Sequence, residues 1–82
     1  MKRTASDRAI DRLIDAGWTV SHNAYAHGYL GYTTAGTVVP MQTRKGYEYC
    51  RVFDSRSQNV HVRPGVDIRV QRTTVLKRPI TA

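Results

Sequence analysis

Ile10, Leu13, Ile14 and Gly17 fall at the i, i+3, i+4, i+7 spacing of one helical face, with Ala9 at its margin. Thr4 and Asp7 have the separation of a capping box, and Ser6 is a competing N-cap. Gly17 suits the left-handed conformation that closes a helix. Asp7, Asp11 and Asp15 form one row and Arg8 with Arg12 the next, within reach of Arg3–Asp7, Arg8–Asp11 and Arg12–Asp15 pairing. With no His, Cys or second acidic cluster beside it, that acidic row reads as a solvated helix face.

After Gly17 the period changes to two. Trp18-Thr-Val-Ser predicts a short strand with Trp18 and Val20 toward the helix. From His22 to Gly36, an extended chain sets Tyr25, His27, Tyr29 and Gly31 opposite Ala24, Ala26, Gly28 and Leu30. The glycines there predict a loop or a twisted, bulged strand. Thr37–Thr43 and Tyr47–Phe53 form a hairpin around Arg44-Lys45-Gly46, the length at which a type I turn ends in a left-handed glycine. Asp54–Asn59 reads as a polar turn, followed by strands Val60–Arg63 and Val66–Arg72. Between them, Pro64-Gly65 favours turn types whose twist fits a tight hairpin poorly, so a bend or bulge competes with a reversal. Thr73–Leu76 has β character, but Lys77-Arg78-Pro79 signals an end, and residues 73–82 are expected to fray.

These elements predict a single α+β domain over residues 1–82: one N-terminal helix packed on an antiparallel sheet of about four strands. The consistent faces assign Ile10, Leu13, Ile14, Trp18, Val20, Val39, Val52, Ile68 and Val70 to the core.

An 82-residue chain with 40% hydrophobic residues supports one modest core and gives no sign of disorder. No apolar run approaches the roughly 18–20 residues that span a bilayer. The opening Met-Lys-Arg-Thr is not followed by the apolar stretch of a secretion signal, and Cys50 has no second cysteine to pair with. A cytoplasmic protein without membrane association is expected.

Charge narrows the class of partner. Gly17–Thr43 contains no Asp, Glu, Lys or Arg, whereas Arg44–Ala82 carries nine basic against three acidic residues, nearly all of the +7 net charge. That field draws nucleic acid, RNA or DNA, or an acidic protein that handles nucleic acid. Arg44, Lys45, Arg51, Arg63, Arg69 and Arg72, with Lys77 and Arg78, are the candidate phosphate contacts. Tyr25, Tyr29 and Tyr32, flanked by glycines, are candidate stacking residues. Tyr47, Tyr49, Arg51 and Phe53 share a strand face. They either stack on bases or pack beneath the helix, and Phe53 with at least one tyrosine is assigned to the core. Cys50 faces the side of Val52 and reads as a small core residue. His22, His27, Cys50 and His61 lack the spacings of a zinc site, so neither a metal nor a cofactor is expected.

His27 admits sharper chemistry. An imidazole that takes the 2′-OH proton of RNA lets that oxygen attack the adjacent phosphorus while Arg or Lys stabilises the added charge. The run Ala9-Ile10-Asp-Arg-Leu13-Ile14-Asp-Ala16-Gly17-Trp18, a strand, His27, and then Thr37-Val38-Val39-Pro40 resembles the first half of HicA-type mRNA interferase toxins. Those are small basic proteins of double-stranded-RNA-binding-like fold with a Gly-Ser-His-His-type motif and a strand ending in Val-Pro. The resemblance implies that His27 is the catalytic histidine. The motif here is Tyr25-Ala26-His27-Gly28, with one histidine, and the chain continues in strand-like runs where the family closes with a helix.

The leading expectation is a small basic nucleic-acid-binding protein, RNA ahead of DNA, with metal-independent RNA cleavage by His27 as a minority option. The alternative is a non-enzymatic phage or mobile-element accessory protein that inhibits a nucleic-acid-handling complex by protein–protein contact. A homodimer is compatible with either.

Overall fold

A computed structural model describes residues 3–27 and 33–80. Helix α1 (Ala5–Asp15) is followed by strands β1 (Thr19–His27), β2 (Val38–Pro40), β3 (Tyr47–Arg63) and β4 (Val66–Pro79). All pairings are antiparallel, in the order β1-β4-β3-β2. The expected α+β class, one helix on a four-stranded sheet, is the fold of the protein.

Both ends of α1 follow from local chemistry. The Thr4 hydroxyl accepts from the Asp7 backbone N–H at 3.1 Å, and the Asp7 carboxylate accepts from the Thr4 N–H at 3.1 Å, a complete capping box. At the other end Gly17, at φ +98°, donates to Ile14, and Trp18 donates to Leu13 at 2.9 Å. That pair of bonds is a Schellman closure, and only glycine takes its left-handed position without strain.

The helix presents Ser6, Ala9, Ile10 and Leu13 to the sheet, one step around from the expected face. Ala9 packs with Cys50, Val52 and Leu76, and Ile10, Leu13 and Trp18 close the edges of this core. Ile14, assigned to the core from its spacing, is 47% exposed. The helix packs on β3 and the near end of β1 through Ala9, Ile10 and Leu13, which leaves Ile14 on its open side. Val20 and Val39 are also corrected. At 51% and 39% exposed, they stand on the two edge strands, Val20 at the open margin of the helix-covered face and Val39, opposite Arg51, on the face away from the helix. Val52 and Val70 are buried as expected, and Ile68 is half-buried in the hairpin beyond β1.

Three further expectations change. The connection between β2 and β3 reverses on two residues, with Arg44 and Tyr47 exchanging hydrogen bonds around Lys45 (φ 52°) and Gly46 (φ 82°). Two positive φ values are the signature of a type I′ turn, whose twist matches the strands. Asp54–Asn59 does not turn. β3 runs through it, and Asp54, Ser55 and Arg56 bulge opposite the single residue Arg72. The Asp54 carboxylate accepts from the Arg56 N–H, the same local bond that an Asx turn uses, but within a continuing strand.

Pro64-Gly65 does reverse the chain, with Gly65 at φ +77°. A slip in register between His61 and Arg63 absorbs the poor twist of that turn. Finally, residues 73–79 are not a frayed tail. They complete β4, which pairs on both sides and holds three of the four most buried side chains: Thr73, Val75 and Leu76 are at most 1% exposed.

Candidate functional site

Alternation along β3 and β4 sorts their side chains onto two faces. Glu48, Cys50 and Val52 pair with Arg78, Leu76 and Thr74 on the helix side. Tyr47, Tyr49, Arg51 and Phe53 pair with Pro79, Lys77, Val75 and Thr73 on the other side. The aromatic row therefore lies opposite the helix, not beneath it, which corrects its assignment to the helix-covered core. Two cation–π contacts mark the two faces. Arg78 lies 4.6 Å from the Trp18 ring centroid on the helix side, and Lys77 lies 4.8 Å from that of Tyr47 on the far side.

An open groove of about 810 Å³ occupies the helix-free face. Val75 forms its floor, with Tyr49 on one side and His22 of β1 on the other. Gln42, Thr43 and Arg44, leading into the type I′ turn, form its rim. The His22 Nδ1 is hydrogen-bonded to the Ser21 hydroxyl at 2.9 Å, which orients the ring. The register slip at Ser21 places both residues at the groove. The side chains of Gln42, Thr43 and Arg44 form no hydrogen bond within the described residues. The Arg51 Nε is buried and has no partner there either.

The charges divide just as sharply. Asp7, Asp11 and Asp15 are on α1, Glu48 pairs with Arg78 on the helix side, Asp54 with Arg72 in the bulge, and Asp67 with His61 in the outer hairpin. Those are all six acidic residues of the chain. None accompanies Arg44, Lys45, Arg51 or Lys77, and none of these four cations forms a salt bridge within the described residues.

The expected site residues are thus only partly brought together. Arg44 lines the groove and Arg51 is on the helix-free face, with Lys45 in the turn next to Arg44. Arg63 and Arg69 project on the outer hairpin, paired across from Val66 and Asn59. Arg72 is held 3.8 Å from Asp54 near the helix N-terminus, and Arg78 is tied to Glu48 and Trp18, so both are engaged on the helix side. Tyr25 is exposed on the edge strand, on the helix side with Arg72. Tyr29 and Tyr32 lie outside the described residues. His27 ends β1, with its backbone opposite Val70.

The structure adds His22, Gln42, Thr43 and Tyr49 to the site. Tyr49 had a sequence signal in its alternation with Arg51, one also compatible with core, and His22 stood out only as a histidine weighed for metal binding; Gln42 and Thr43 had none. Cys50 packs with Val52 and Leu76, and burial pushes its thiol pKa up, the behaviour of a core residue and not of a nucleophile. His22 is on the helix-free face, Cys50 on the helix side and His61 in the outer hairpin, so the three do not converge. Among the described residues no three His, Cys, Asp or Glu side chains come together as a metal site. No described helix is long and apolar enough to cross a membrane.

No protein-family profile, curated protein or solved structure matches this chain.

Proposed function

We propose that this protein binds nucleic acid, RNA ahead of DNA, through the helix-free face of its sheet. One observation carries the reading: Arg44, Arg51 and Lys77, none in a salt bridge among the described residues, share a face with Tyr47 and Tyr49, and the carboxylate on the same face of β4, Asp67, lies at the opposite end of that strand, paired with His61. Phosphates gain from such a face without the repulsion that an interspersed Asp or Glu would add. The single described helix suits a groove reader poorly, because it carries Asp7, Asp11 and Asp15. Sheet-based recognition and the resemblance of the N-terminal half to mRNA interferase toxins both favour RNA. That resemblance makes His27 the general base of any cleavage. Assaying wild type and His27→Ala in EDTA for 2′,3′-cyclic phosphate products separates a binder from a ribonuclease.

The binding test is the salt dependence of affinity. Each lost phosphate contact lowers the slope of log K against log salt by about one unit. Arg44→Glu, Lys45→Glu and Lys77→Glu together are expected to abolish binding, while Arg63→Glu with Arg69→Glu weakens it less. Equal affinity of the wild type and the triple variant would refute the reading.

A further inference from the structure

We infer that the groove on the helix-free face receives a single strand, with one unstacked base stacked on Tyr49 and its flanking phosphates on Arg44 and Lys77. This rests on the nucleic-acid reading and names the form of nucleic acid. A surface that recognised only phosphates would need cations alone. Here Arg44 rims a groove walled by an aromatic ring and an imidazole, over Val75, which its neighbours cover almost completely.

The groove's volume of about 810 Å³ lies in the range of sites that enclose a small organic group. A base stacked inside an A-form duplex cannot turn into such a groove, whereas an unpaired base can turn out of the strand and stack on an aromatic side chain. Gln42 and Thr43 at the rim have free donors and acceptors for the base's hydrogen-bonding edge. Tyr49 lies across from Lys77 in register, and the Lys77 ammonium sits over the neighbouring Tyr47 ring. A strand running along β3 therefore meets charge and aromatic surface in alternation.

Fluorescence anisotropy at low salt tests this with four labelled probes: a decauridylate, the matching deoxythymidylate, a ten-base-pair RNA duplex, and an abasic single strand with the same number of phosphates. The decauridylate is expected to bind at least tenfold more tightly than the duplex or the abasic strand, and the deoxythymidylate arm reads whether a 2′-OH is required. Tyr49→Ala should weaken the decauridylate by roughly 10- to 100-fold with an unchanged salt slope, and Tyr49→Phe should restore it. Thermal melts of both variants check that each is folded.

Duplex or abasic probes that bind as tightly as the decauridylate overturn the inference, as does a folded Tyr49→Ala protein with wild-type affinity. In those cases the loss of binding in the Arg44, Lys45, Lys77 triple variant still upholds the broader reading. If no probe binds, both fall together.

Discussion

Gln71 shows how much one buried amide can hold. Its Nε2 donates to the carbonyls of Thr33 and Asp54 at 2.6 and 2.7 Å, and its Oε1 accepts from the Thr33 N–H at 3.0 Å. It thereby fixes the connection entering β2 and the bulge of β3 to the central strand. Gln71→Ala leaves these backbone groups unpaired and is expected to cost about 1–3 kcal/mol in urea unfolding. Nothing in the sequence marked Gln71, because its partners lie 38 and 17 positions away.

The Thr4–Asp7 box was legible, since all its geometry lies within four residues. Its hydrogen bonds from Thr4 hold the Asp7 carboxyl below the usual carboxylate range. The cap's contribution is therefore complete above the unfolded-state value and is lost as pH falls through the lower folded one, in a window below about pH 4. Asp7→Asn should flatten the acid limb of a stability-against-pH curve; an unchanged limb would mean that the cap does not hold in solution.

At the scale of elements, the β2–β3 hairpin was legible as two strands around glycine but not its turn geometry, and at Pro64-Gly65 the sequence left a reversal and a bend equally open. Lys45 sits at φ 52°, a position that favours Asn over Lys. Lys45→Asn is expected to raise the unfolding free energy by a few tenths to about 1 kcal/mol, measured by denaturant titration. It also removes one cation from the proposed interface, so stability and affinity should move in opposite directions.

The end of β4 misled for a physical reason. Lys-Arg-Pro looks like a chain leaving a sheet, yet here Lys77 lies over Tyr47, Arg78 is clasped by Glu48 and Trp18, and Pro79 stands at the last paired position. Arg78→Glu should lower thermal stability by an amount equivalent to about 1 kcal/mol or more, whereas Arg69→Glu, exposed on the outer hairpin, should leave it nearly unchanged.

For the whole molecule, fold class was legible because period 3.6 gives way to period 2 once, at Gly17. Strand order was not, since local patterns cannot say that β4 inserts between β1 and β3. That insertion moves the centre of the core to Val52, Val75 and Leu76. Leu76→Ala should cost about 2–5 kcal/mol, and Leu13→Ala, at the half-buried margin, clearly less. The same insertion orders events during synthesis. Until residues 66–79 have left the ribosome, β1 has no strand to pair with, and β3 has only the three residues of β2. The nascent chain must therefore wait with a long unpaired edge, the state in which chaperones are recruited or aggregates begin.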